Sequence, residues 1–227
     1  AHMQTAPPHD AHPPIVYDGQ PQTRAFWGGN LPHWDVLGRP IFLTLHVRGA
    51  IPQEAMQRIR ADAASLCNRR DTDYTRRLKL IFKQMEEWLD RTDHVQWLTR
   101  PEVARMLGEA IAKRAEDGAW RPLHWAVMPS HLHILYIGGQ IGMKELLNDF
   151  KRWTARQANQ LLGRTGERFW QDEWFDHWSR SADETDRIAH YIRQNPVRAG
   201  LVRDAQEWPY GSWSGLALGK RGLHGPQ

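Results

Sequence analysis

The sequence predicts an α+β protein: a ferredoxin-like (split βαβ) sandwich, with an antiparallel sheet, helices on one face, and extra helices inserted after the first strand. Three observations predict it. Residues 40–47, "PIFLTLHV", are β-rich. Two short apolar runs, "LHWAVMP" and "HLHILYI", flank a tight Pro129-Ser130 turn and read as a hairpin. Around them lie long stretches with apolar residues every three to four positions.

In order along the chain, "AHM" looks like a cloning scar and residues 1–24 are Pro-rich and pattern-free, so they are expected to be disordered. Residues 25–210 are expected to form the single domain that 227 residues with 41% hydrophobic content can support. After the 40–47 strand, helical periodicity runs from Pro52 to about Arg91 and gives a helical insertion over 53–98. Thr99 is a plausible cap, Pro101 suits a first turn, and Gly118 a stop, which predicts a further helix. The hairpin follows. Then "GMKELLNDFKRWTARQANQLLGR" places Leu146, Leu147, Phe150, Trp153, Ala158 and Leu161 on one stripe. "RFWQDEWFDHW" reads as a strand, and "SADETDRIAHYIRQNP" as a helix capped at Ser181 and closed by Pro196. Residues 211–227 are a C-terminal tail. Without the insertion, the order is strand, helix, strand, strand, helix, strand.

Composition restricts function only loosely. A net charge of +4 leans towards a polyanion partner but is modest for a pure nucleic-acid binder. Six of the twelve tryptophans follow residue 150 among basic residues; most are expected to pack, and one or two, Trp170 foremost, to serve as base-stacking platforms. The single cysteine, Cys67, excludes an intramolecular disulfide and a cysteine-based zinc site, and reads as a small core residue. No run of eighteen apolar residues and no signal pattern is found, so a soluble, cytosolic chain is expected.

The chemistry concentrates in two short stretches. In a strand, His131 and His133 point to the same face roughly 6.6 Å apart and can converge on one ion, while Leu132 points to a core. Such a pair is also commonplace in packed strands. On a helix, Tyr191 and Asn195 share a face one turn apart. A tyrosine and an oxygen ligand facing two histidines suit phosphodiester chemistry, with a polarised phosphate attacked by a phenol. A half-buried aromatic followed by an ordinary Asn-Pro helix stop reads equally well.

"MPSHLHIL" and the later "YIRQNPVRAGLV", with "NLPHWDVLGRPIFLTLHVRGAIP" near the start and "RFWQDEWFDHWSR" before the last helix, resemble the REP-associated tyrosine transposases, within the HUH endonuclease family of IS200-like single-strand transposases. The likeness covers roughly residues 30–210. It implies a ferredoxin-like catalytic domain with His131 and His133 as metal ligands, Asn195 as third ligand and Tyr191 as nucleophile. Related insertion-sequence enzymes carry Gln where Asn195 stands, and Asn is shorter by one methylene. The implied reaction cleaves and rejoins single-stranded DNA beside a REP-like hairpin through a 5'-phosphotyrosine. The ligand set suits Mg2+ or Mn2+, although softness alone would allow zinc. A bacterial, nucleoid-associated location and a monomer or homodimer go with this reading. Lys144, Lys151 and Arg152 on the long helix form a plausible phosphate track, and Arg193 and Arg198 flank the tyrosine. Two rivals remain: a domesticated hairpin-binding protein without turnover, and a metal-dependent hydrolase of a small phosphoester.

Overall fold

The computed structural model describes residues 15, 17–29, 31–64, 73–91 and 95–214. Cys67, most of the N-terminal segment and residues 215–227 lie outside them. The elements are β1 (Thr23–Gly28), β2 (Pro32–Val36), β3 (Pro40–His46), α1 (Gln53–Ala64), α2 (Tyr74–Leu89), α3 (Pro101–Glu116), β4 (Trp120–Val127), β5 (His131–Gly138), α4 (Met143–Leu161), β6 (Phe175–Trp178) and α5 (Ala182–Arg198). β3 to β6 form one antiparallel sheet in the order β4-β5-β3-β6, the split βαβ topology expected. β1 and β2 form a separate hairpin that the sequence pattern did not reveal. It is tied to β6 by side chains: His33 Nδ1 lies 2.5 Å from Asp176 Oδ1, and the Trp34 amide donates to Asp176 Oδ2.

Period-two alternation splits the interior into two layers. Ile41, Leu43 and Leu45 of β3 and Leu132, Ile134 and Tyr136 of β5 pack with α3 and α4. Phe42, Leu135 and Ala126 face the other way and pack with α1, α2 and Ile192 of α5. Helices therefore cover both faces rather than one. β3 and β5 are apolar or neutral on both sides, so each face needs its own cover, and the inserted helices with α5 supply the second.

Local chemistry accounts for the ends of these elements. Pro101 opens α3, but the capping residue is Arg100, while the Thr99 hydroxyl donates backwards to Gln96 O. Gly118 ends α3 with φ +71°, a conformation open to glycine at no steric cost. Ser181 caps α5 by accepting from the Glu184 amide at 3.2 Å. α5 does not stop at Pro196: the helix continues to Arg198, because a proline in the last turn removes only one late hydrogen bond, and Gly200 at φ +70° closes the end.

The strand read from 168–178 is confined to Phe175–Trp178, with Trp170 bridging singly to Val47. Contacts with the body of the protein begin before residue 25. The Tyr17 hydroxyl lies 2.5 Å from Thr185 Oγ1, Arg39 donates to Tyr17 O, and Arg24 donates to Gly139 O at 2.7 Å. Burial of Arg39 at 5% exposure explains the anchoring, since its guanidinium takes two of its acceptors, Tyr17 O and Gly19 O, from that segment and a third, Arg180 O, from the loop before α5. Beyond α5, residues 208–214 lie along β4, where the Val127 amide donates to Tyr210 O, the Ser212 amide to Trp125 O, and the Trp208 indole to Val127 O.

Candidate active site

β5 puts His131 and His133 on the α2/α5 face, opposite His46 and Thr44 of β3. Both imidazoles are buried, with ring centroids 4.6 Å apart. Hydroxyls orient them. Ser130 Oγ donates to Leu89 O and lies 3.3 Å from His131 Nδ1, so its hydrogen is committed and it accepts from Nδ1–H. Thr44 Oγ1 lies 2.9 Å from His133 Nδ1. For His131 this leaves Nε2 as a free lone pair, the tautomer a ligating imidazole requires, and the Thr44 hydroxyl is able to accept from His133 Nδ1–H in the same sense. Neither Nε2 has a hydrogen-bond partner. Burial holds both rings neutral, with pKa values pushed down from 6.5 to about 3.

The third group comes from α2, within the stretch expected as a helical insertion. Glu86 is 4% exposed, and its Oε1 lies 3.4 Å from His133 Nε2 without a hydrogen bond of its own. One ligand atom from each of Glu86, His131 and His133 lies within 4.8 Å of the others. Burial raises the Glu86 pKa, against the pull of nearby His131, Arg198 and Asn195. Two buried imidazole nitrogens and a carboxylate oxygen with no partners form a donor set able to hold a divalent ion, which would satisfy all three at once. A signal in the sequence could have found Glu86. It lies four residues after Phe82 and three before Leu89, a carboxylate inside the apolar stripe of α2.

α5 supplies the remaining pair. The Tyr191 phenol donates to Glu86 Oε2. Asn195 Nδ2 donates to the same Oε2 at 3.3 Å and to the Tyr191 oxygen at 3.1 Å. Asn195 Oδ1 is buried and unpaired, and the side chain adjoins His131 closely enough to raise the pKa of that ring against the larger effect of burial. The Tyr191 ring sits 5.6 Å from His133, with Arg198 stacked over it at 4.8 Å. The structure thus brings His131, His133, Tyr191 and Asn195 together as expected, with Glu86 between them. Tyr136, a conceivable alternative nucleophile, is fully buried on the opposite face.

The residues expected to bind DNA are scattered. Arg198 reaches the centre, and Arg193 lies near His124 of β4, on the side of α5 turned away from Tyr191. Lys144 and Arg152 lie on α4, across the sheet. Lys151 is occupied by the carbonyls of Gln171 and Asp172, and burial lowers its pKa to about 8. Trp170 is 5% exposed and its indole donates to Thr154 Oγ1, so it is core and offers no stacking face; the amphipathic α4 needed a large residue against Thr154. Missed by the sequence reading is a cleft of about 320 Å³ lined by Arg48, Arg60 and Arg168, beside the His46 end of β3.

Comparison with known proteins bears on the whole arrangement. Residues 91–195 match the family model described as transposase IS200 like. A REP-associated tyrosine transposase of Escherichia coli (strain K12) is 28% identical over 112 residues, 48% of this chain and 64% of that relative, so the match spans under two thirds of its length. A solved structure of a REP-associated tyrosine transposase bound to a REP hairpin is similar over 80% of both chains, with a TM-score of 0.51 and 20% identity, which shows the shared fold. Glu86 lies outside the segment that the family model matches.

Proposed function

Starting from a chain that resembles the IS200-like and REP-associated tyrosine transposases, we propose that it is a metal-dependent HUH transposase that cleaves and rejoins single-stranded DNA beside a hairpin. One observation carries this reading: the Tyr191 phenol rests on a carboxylate whose other oxygen faces a ligand-ready imidazole. His131, His133 and Glu86 would hold the ion, with Asn195 Oδ1 as a further oxygen. A hard cation such as Mg2+ or Mn2+, when bound there, polarises the scissile phosphate. Glu86 Oε2 accepts the phenolic proton, and the Tyr191 oxygen bonds to phosphorus. The bond from phosphorus to the 3'-oxygen breaks and the departing oxygen takes up a proton from water, giving a 3'-hydroxyl and a 5'-phosphotyrosine. A second 3'-hydroxyl reverses the step, so no nucleotide cofactor enters. Arg198 holds the substrate phosphate near the phenol, and the cleft of Arg48, Arg60 and Arg168 carries the neighbouring backbone.

The test uses single-stranded oligonucleotides carrying a REP-type hairpin with an unpaired flank, incubated with Mn2+ and run on a denaturing gel. A covalent protein–DNA band is expected for the wild type and none for Tyr191→Phe. The same sequence as perfect duplex should remain uncut, because the flank is then hidden. A wild-type protein that binds the hairpin and never forms the band would be a hairpin-binding protein without turnover.

A further inference from the structure

Beside the nucleophile, between α2 and α5, lies a cavity of about 190 Å³ walled by Phe42, Phe82, Phe175 and Tyr191. Its volume is below the roughly 300–1,000 Å³ of drug-sized pockets, so it suits a single ring system. The walls are ring faces and edges: Phe82 lies 4.7 Å from Phe175, 5.3 Å from Phe42 and 5.7 Å from Tyr191, centroid to centroid. Phe82 and Tyr191 are only half-buried, although both sit among buried neighbours. Two exposed cations, Lys79 and Arg187, stand at the rim. The pair His177 Nε2 to Glu184 Oε1, at 2.9 Å, adds a polar edge. An aromatic slot with cations at its mouth and one polar edge fits a flat, partly polar heterocycle attached to phosphates.

We propose that this cavity receives one unpaired nucleobase of the single strand, the one next to the phosphate attacked by Tyr191. The assignment rests on the transposase reading for its substrate class, and of the cavity walls only Tyr191 is shared with that reading. Seating the base against Phe82 fixes the strand on one side of the attacked phosphate, while Lys79 and Arg187 meet the flanking phosphates. α2 then contributes twice, a carboxylate to the centre and a stacking surface to the strand.

Oligonucleotides with the hairpin and a flank carrying 5-iododeoxyuridine at one position at a time, irradiated with the full-length protein, test this. Peptide mapping should place the cross-link on Phe82 or Tyr191 for one flank position only. Phe82→Leu keeps an apolar side chain and removes the ring, and should weaken binding of the flanked hairpin by roughly 5- to 100-fold while leaving a flankless hairpin unaffected. Arg187→Glu, at an exposed position, should weaken the flanked hairpin alone as well. Cross-links mapping only outside the cavity, or Phe82→Leu binding the flank like the wild type, overturn the proposal. The covalent band on unsubstituted DNA is scored in parallel. Band formation with cross-links elsewhere removes the base site and keeps the cleavage reading, and cross-links within the cavity without any band do the reverse.

Discussion

Glu86 shows what a single buried carboxylate costs and what it can do. Its pKa is raised by burial, so the folded state holds its proton more tightly than the unfolded one. This group's contribution to stability is therefore lost as pH rises from the ordinary 4.5 towards the raised value. Glu86→Gln should leave the metal-free protein at pH 7 as stable or more stable, while weakening Mn2+ binding at least tenfold, read by calorimetric titration. A metal-free protein that melts much earlier would show Glu86 to be structural. His46, His131 and His133 act with the opposite sign. Their pKa values fall from 6.5 to about 3, so below pH 6.5 the unfolded chain takes up protons that the folded chain refuses. Stability in chelator should drop as pH falls from 6.5 towards 3, by up to ~1.4 kcal/mol per pH unit for each histidine. Urea unfolding at several pH values in that window checks this, and a flat profile would place the imidazoles in water. Local spacing in the sequence puts His131 with His133, and Tyr191 with Asn195, each pair on one face of one element, and the family resemblance, not the spacing, is what implies their roles. Glu86 stands out locally only as a carboxylate inside the apolar stripe of α2; which groups it faces is decided when α2 is laid across a sheet face, a long-range placement that no local period encodes.

Among the elements, α5 depends on its first turn to aim its fourth. Ser181 accepts from the Glu184 amide, and Glu184 in turn accepts from the Arg180 amide at 2.8 Å and faces His177. Ser181→Ala should cost about 0.5–2 kcal/mol of stability by urea unfolding. Because the centre lies about two turns and more away, Mn2+ affinity should change little. β5 and α5 were readable from short patterns, whereas the β1–β2 hairpin was not. It is held to the body by His33, Asp176 and Arg24 rather than by alternating apolar residues. α1 and α2 were recognised as helices, but the face they cover was not, since an amphipathic stripe records how much of a helix is buried and not against what.

For the molecule as a whole, the sheet separates a purely structural layer, with α3 and α4, from a layer that holds every group of the candidate centre. α2, β5 and α5 meet there, and Glu86, His131 and His133 form the group of histidine and carboxylate ligands that converges among the described residues, with Asn195 Oδ1 of α5 unpaired beside it. Mn2+ at a hundredfold excess over its dissociation constant should therefore raise stability by ~2.7 kcal/mol. Hydrogen exchange should slow in α2 and α5 together and stay unchanged in α3 and α4. Protection confined to β5 would mean that only the histidines engage the ion. The topology itself was visible in the sequence order, and the shared fold with a hairpin-bound transposase agrees with it. The segment from Trp208 to Ser214 has its own bearing on assembly. By donating and accepting along β4, with Gly211 bridged to Ala126, it occupies the hydrogen-bonding margin through which two copies would otherwise merge their sheets. Two subunits meeting at that margin would first have to peel the strap away, so self-association without such exchange must use helix surfaces or the opposite border.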